Sequence, residues 1–171
     1  INQNYTYKVA NTPNGKFGHA PSNVRGSENI ARGYSNPFVG WYQKEKQWFD
    51  EAVANLYGVT GLQGKDAWDF YEGEKAEAIA SEVIKNHGAN ASVGHYINII
   101  CPTDLAYGCA QIGAYTCKDF ADAYILGNKV DKTYSADEYY QLFMAYCNKV
   151  KGNIDPKYQA AVDDALDKLN A

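Results

Sequence analysis

Two side chains, His95 and Glu45, carry the first suggestion of chemistry in this chain. His95 stands at the mouth of an almost wholly apolar run, Ser92-Val93-Gly94-His95-Tyr96-Ile97-Asn98-Ile99-Ile100. An imidazole there can bind a metal, move a proton or simply pack. Glu45 lies four residues after Trp41 and three before Trp48, inside an apolar helical stripe, so the pattern points a carboxylate inward. A buried carboxylate is costly unless it is paired, hydrogen-bonded or protonated, which makes Glu45 either a site residue or a structural acceptor. His87 ends a helical stretch, where the helix dipole favours a cation and a structural role suffices.

These residues need elements to hold them. From Trp41 to Tyr57 the positions Trp41, Trp48, Phe49, Ala52 and Leu56 fall on one helical face, Gln43, Lys46, Gln47 and Asp50 on the other, and Gly58 follows as a stop. Residues 72–87 repeat the pattern through Ala76, Ile79, Ala80, Val83 and His87, closed by Gly88. Val93 to Ile100 reads as a strand because it is rich in β-branched residues and ends before Pro102. Alternation then sets His95, Ile97 and Ile99 against Tyr96, Asn98 and Ile100, with both faces apolar, as in a central strand. A second strand near Tyr107-Gly108-Cys109-Ala110 would form a hairpin across CPTDLAYG.

Residues 1–37 are rich in loop formers, with a turn at Thr12-Pro13-Asn14-Gly15 and a short helix near Glu28. In the tail, Ser135-Ala136-Asp137-Glu138 is a capping box before Tyr139, Phe143, Tyr146 and Val150. Asp155-Pro156 starts another helix through Tyr158, Val162, Ala165, Leu166 and Leu169, and Lys129 to Lys132 forms the linker to this pair.

Composition narrows the function. A chain of 171 residues, 46% hydrophobic and 21% charged, fits one main globular domain with an accessory segment. A net charge of −4 without a Lys/Arg cluster argues against a nucleic-acid partner, and no apolar run is long enough to span a bilayer. Fifteen Tyr and three Trp suit wet binding surfaces as well as cores. Cys101, Cys109, Cys117 and Cys147 make no CxxC pair, so they read as two disulfides in an oxidising compartment or as free thiols. Cys101 with Cys109 and Cys117 with Cys147 is one pairing of three. No GxSxG elbow occurs, and the opening INQNYTYK lacks the features of a signal peptide, which would be absent or already removed.

Several segments, in order, resemble the CAP superfamily (cysteine-rich secretory proteins, antigen 5, pathogenesis-related 1; the SCP domain). GHYINIICPTDLAYGCA is similar to its GHYTQ and GCA signature, Ser27-Glu28-Asn29-Ile30-Ala31 to its GENIA segment, and Trp41-Tyr42-Gln43-Lys44-Glu45-Lys46 to its aromatic helix with an inward glutamate. His19-Ala20-Pro21 resembles the His-Ser segment that precedes them. Ser27 stands for the usual Gly and Asn98 for the usual Gln, and the long N-terminal helix of the family has no counterpart before His19.

The resemblance implies an α+β fold, a three-layer α-β-α sandwich around a central, mainly antiparallel sheet. It implies a CAP-like domain over 1–128, with 129–171 a C-terminal helical pair packed on it or following it. It also implies a cleft tetrad of His19, Glu28, Glu45 and His95, lined by Asn29, Tyr96 and Asn98. His19 and His95 would hold zinc or another divalent cation. The expected function is a bacterial-type binding module, secreted or on the cell surface, for a lipid or sterol, a glycan or a host protein. A metal-dependent hydrolase with Glu45 or Glu28 as base is the enzymatic alternative, and a purely structural polar tetrad the third.

Overall fold

The computed structural model describes residues 17–19, 27–72, 75–129, 132–151 and Asp163. The chain divides into two compact units, 1–131 and 132–171. The first is a mixed α+β unit. Its elements run β1 (Ser27–Arg32), a π-helical segment (Val39–Lys44) leading into α1 (Glu45–Tyr57), α2 (Gly64–Tyr71), α3 (Ala76–His87), α4 (Gly94–Ile100), β2 (Ala106–Ile112), β3 (Tyr115–Ala121) and α5 (Ala123–Lys129).

The described strands form one antiparallel sheet in the order β1-β3-β2. β3 is central, and Thr116 to Ala121 are buried on both of its faces. β2 and β3 are joined by two residues, with Gly113 at φ 57°, the left-handed position that a tight hairpin turn gives to glycine. The hairpin therefore lies between β2 and β3, whereas the sequence had suggested CPTDLAYG as its turn; that stretch connects α4 to β2. Glu28 likewise lies in β1 and not in a short helix.

The largest correction is SVGHYINII, which is helical from Gly94 to Ile100. Its β-branched content suggested a strand, yet Val93, Tyr96, Ile97 and Ile100 also stand at i, i+3, i+4 and i+7. Burial follows the second pattern: Val93, Tyr96 and Ile97 are core residues, and Ile100 packs on them. Ser92 Oγ accepts from the Gly94 N–H at 3.0 Å, and the Ile97 N–H reaches the Val93 carbonyl at 3.0 Å, so the turn begins at once. A short apolar run does not reveal its own period, and neighbouring helices decided this one.

That core is built from Phe49, Ala52 and Val53 of α1, Ala67 of α2, Ile79 and Val83 of α3, and the α4 residues. α1 packs on α3, α2 on α4, and α4 on β1. Leu56, read as part of the apolar stripe, is exposed near the end of α1. Tyr96 is fully buried, with its ring 5.6 Å from those of Phe49 and Tyr42. Its hydroxyl has no hydrogen-bond partner among the described residues, and burial, followed by the Asp50 and Tyr42 charges, pushes its pKa up to about 12. Removing an unsatisfied buried hydroxyl removes its desolvation cost. Tyr96→Phe is therefore expected to hold stability or raise it by about 1 kcal/mol in urea unfolding; a loss above that would mean the hydroxyl is engaged.

In the second unit, α6 spans Ala136–Lys151. Its capping box forms as the sequence suggests: Ser135 Oγ accepts from the Glu138 N–H at 3.1 Å, and Glu138 accepts from the Ser135 N–H at 2.7 Å. The second tail helix lies outside the described residues apart from Asp163, as does the turn at 12–15.

Candidate polar site

The π-helical segment keeps Trp41 and Glu45, four residues apart, both turned inward. Glu45 thereby reaches the start of α4. Its Oε2 accepts the N–H groups of His95 (2.9 Å) and Tyr96 (3.1 Å), two of the donors that a helix leaves unpaired in its first turn. Its Oε1 lies 2.6 Å from His95 Nδ1. With backbone donors on the other oxygen, this carboxylate is an acceptor, so the imidazole proton sits on Nδ1 and Nε2 is left as a donor atom for a ligand. Trp41 stacks on the other side of the imidazole at 5.7 Å.

His19 and Glu28 repeat this arrangement, with Nδ1 2.6 Å from Oε1. His19 is largely exposed and Glu28 is buried. Between the two pairs runs an amide relay: Asn98 Nδ2 donates to Asn29 Oδ1 at 2.9 Å, and Asn29 Nδ2 donates to the His95 carbonyl at 3.0 Å. Thus the structure brings the expected tetrad together as two separate histidine–glutamate pairs. No three of its four members have donor atoms within 4.8 Å of one another.

Another group does. Glu28, Cys117 and Asp119 have their ligand atoms mutually within 4.8 Å, and this buried group could hold a metal ion. Sheet register makes it: Glu28 is directly opposite Asp119, and Cys117, two residues along β3, shares their face. The Cys117 thiol donates to Glu28 Oε2 at 3.2 Å. Burial first, then the Asp119 and Glu28 charges, hold that thiol far above the ordinary thiol pKa. The signal for Cys117 and Asp119 was the alternation Cys-Lys-Asp in a strand, which the sequence reading missed because it weighed Cys117 only as half of a disulfide or as a free thiol. Lys118 points to the opposite face, with its ammonium 4.0 to 4.9 Å from the Tyr107, Phe38 and Phe120 ring centroids. Burial lowers its pKa.

All four cysteines are unbridged, which corrects the disulfide expectation for Cys101, Cys109, Cys117 and Cys147. Cys101 instead lies 3.1 Å from Thr103 Oγ1. Iodoacetamide applied to chelator-treated native protein is expected to modify Cys101 and spare Cys117, which is both solvent-excluded and held protonated. All four should react in denaturant without a reductant; a count of two or none would restore the disulfides.

His87, the third histidine, lies apart, with Nε2 3.0 Å from Glu51 and its ring stacked on Trp48 at 5.0 Å. That tie between α3 and α1 is the structural role expected for it. Comparison with protein-family models, with curated proteins and with solved structures finds no match to this chain.

Proposed function

We propose that this chain is a CAP-type binding module working outside the cell or on its surface, with a divalent cation, zinc by preference, held at the Glu28 end of the polar layer. In this reading the α+β unit belongs to the three-layer sandwich class, and its ligand is a lipid or sterol, a glycan or a host protein. The observation that carries the metal assignment is the buried Glu28, Cys117 and Asp119 group with His19 attached to its edge. Two carboxylates directly opposite each other in a sheet repel, and a cation relieves that cost. One thiolate and two carboxylates form a mixed O/S set that zinc can accept. His19, more than half exposed at the side chain, marks the way in. His95, fixed by Glu45, offers Nε2 to the module's ligand.

The hydrolase alternative gains nothing from the geometry. Its candidate base, Glu45, already accepts three hydrogen bonds, and Glu28 accepts from His19 and Cys117. Cobalt(II) titration tests the metal reading: a thiolate-to-cobalt charge-transfer band is expected in the wild type and absent in Cys117→Ser. A wild type without the band, or a variant that keeps it, would refute thiolate ligation.

A further inference from the structure

A pocket of about 250 Å³ opens on the other side of the amide relay, between α2, the end of α4 and the sheet. Its walls include Ser27, Trp68, Asn98, Cys101, Asp104 and Asp122. It uses none of the three histidines and none of the Glu28, Cys117 and Asp119 group. The volume is below the roughly 300–1,000 Å³ of sites for drug-sized ligands, so it suits one small molecule or one side chain of a larger one.

The chemistry of the walls is one-sided. Asp104 Oδ2 accepts from Ser27 Oγ at 3.1 Å, the Cys101 thiol also hydrogen-bonds to this carboxylate, and the carboxylate lines the pocket. Asp122 Oδ1 accepts the Ile125 N–H at 2.8 Å at the start of α5, and its second oxygen is left over. Asn98 spends its amide N–H on Asn29 and keeps its carbonyl oxygen. The lining thus carries two carboxylates and no cationic side chain. Burial, and after it the nearby Asp122 charge, raises the Asp104 pKa above the usual carboxylate value. The aromatic wall is the indole of Trp68, whose face attracts cations.

We infer that this pocket binds an organic cation bearing N–H donors, a guanidinium or primary ammonium group, between the Asp104 and Asp122 carboxylates and the Trp68 ring. A neutral sugar would satisfy some of the acceptors but would leave the two carboxylates repelling each other. A cation with N–H donors answers the acceptors, the charge and the ring together.

The test is a titration with methylguanidinium, followed by the Trp68 indole N–H resonance in a chelator-containing buffer, so that failure of the metal reading does not affect it. Urea, the neutral analogue of the same shape, and glucose serve as controls. Methylguanidinium is expected to bind with a Kd on the order of 1 mM, as befits so small a ligand, and at least ~10-fold more tightly than urea. Asp104→Asn with Asp122→Asn is expected to weaken it at least ~10-fold. Asparagine keeps an acceptor for Ser27 and remains a good helix cap at the start of α5. Equal binding of urea, stronger binding of glucose, or unchanged binding by a folded double variant would overturn the proposal. If the double variant does not fold, the comparison of methylguanidinium with urea in the wild type decides.

Discussion

Glu45→Ala is expected to destabilise the 1–131 unit by about 3–5 kcal/mol, since each buried donor left without its acceptor costs about 1–3 kcal/mol. Three donors lose their acceptor at once: the N–H groups of His95 and Tyr96 and the His95 ring. Two of them are first-turn donors of α4, and Tyr96 is fully buried, so water does not readily replace the carboxylate there. His95→Ala is expected to cost less, about 1–2 kcal/mol, because Glu45 keeps its backbone donors and the main losses are one hydrogen bond and the Trp41 stack. Glu45→Gln, which keeps an acceptor of the same shape, should fall between Glu45→Ala and the wild type. Urea unfolding followed by tryptophan fluorescence measures all three. An Ala variant within 1 kcal/mol of the wild type would mean that Glu45 does not anchor α4.

This asymmetry between Glu45 and His95 bears on what could be read from the sequence. The inward Glu45 was legible because a helix of thirteen residues with flanking aromatics leaves little doubt about its period. Its partner was legible only as a residue. His95 was placed at the start of a strand, and the meeting of Glu45 with two backbone N–H groups exists because that segment is a helix. A seven-residue element takes its state from what packs on it, here Phe49 from α1, α2 and β1. The capping box at Ser135, by contrast, is a local interaction over four residues, and the sequence contains all of it.

The same distinction applies to the metal group. Glu28 and Asp119 are far apart in sequence, and only strand register sets them face to face with Cys117 beside them. No spacing rule for zinc sites contains such a set, since those rules describe ligands close together in one loop or helix. The resemblance to the CAP family led to His19 and Glu28, the first largely exposed and the second buried. The thiol and the second carboxylate became visible only once β3 was known to be the central strand.

Zinc provides the second large effect. At one hundred times its Kd, a cation that binds only the folded state adds about 2.7 kcal/mol of stability. For a domain of this size that raises the midpoint of thermal unfolding by about 5–10 °C. The shift is expected in the transition of the 1–131 unit, with chelator returning the midpoint to its starting value. Three variants locate the ion. Cys117→Ser and Asp119→Asn should each remove most of the shift, because each takes away a donor of the buried group. His95→Ala should lower the metal-free midpoint yet keep the shift, since its imidazole is engaged with Glu45 and lies outside that group. The reverse pattern, with the shift lost in His95→Ala and kept in Cys117→Ser, would move the ion to the His19 and His95 imidazoles and refute the sheet-face site. No shift in the wild type would leave the Glu28, Cys117 and Asp119 group as a purely structural cluster. Asp119→Asn would then be expected to stabilise the metal-free protein by relieving the repulsion between facing carboxylates.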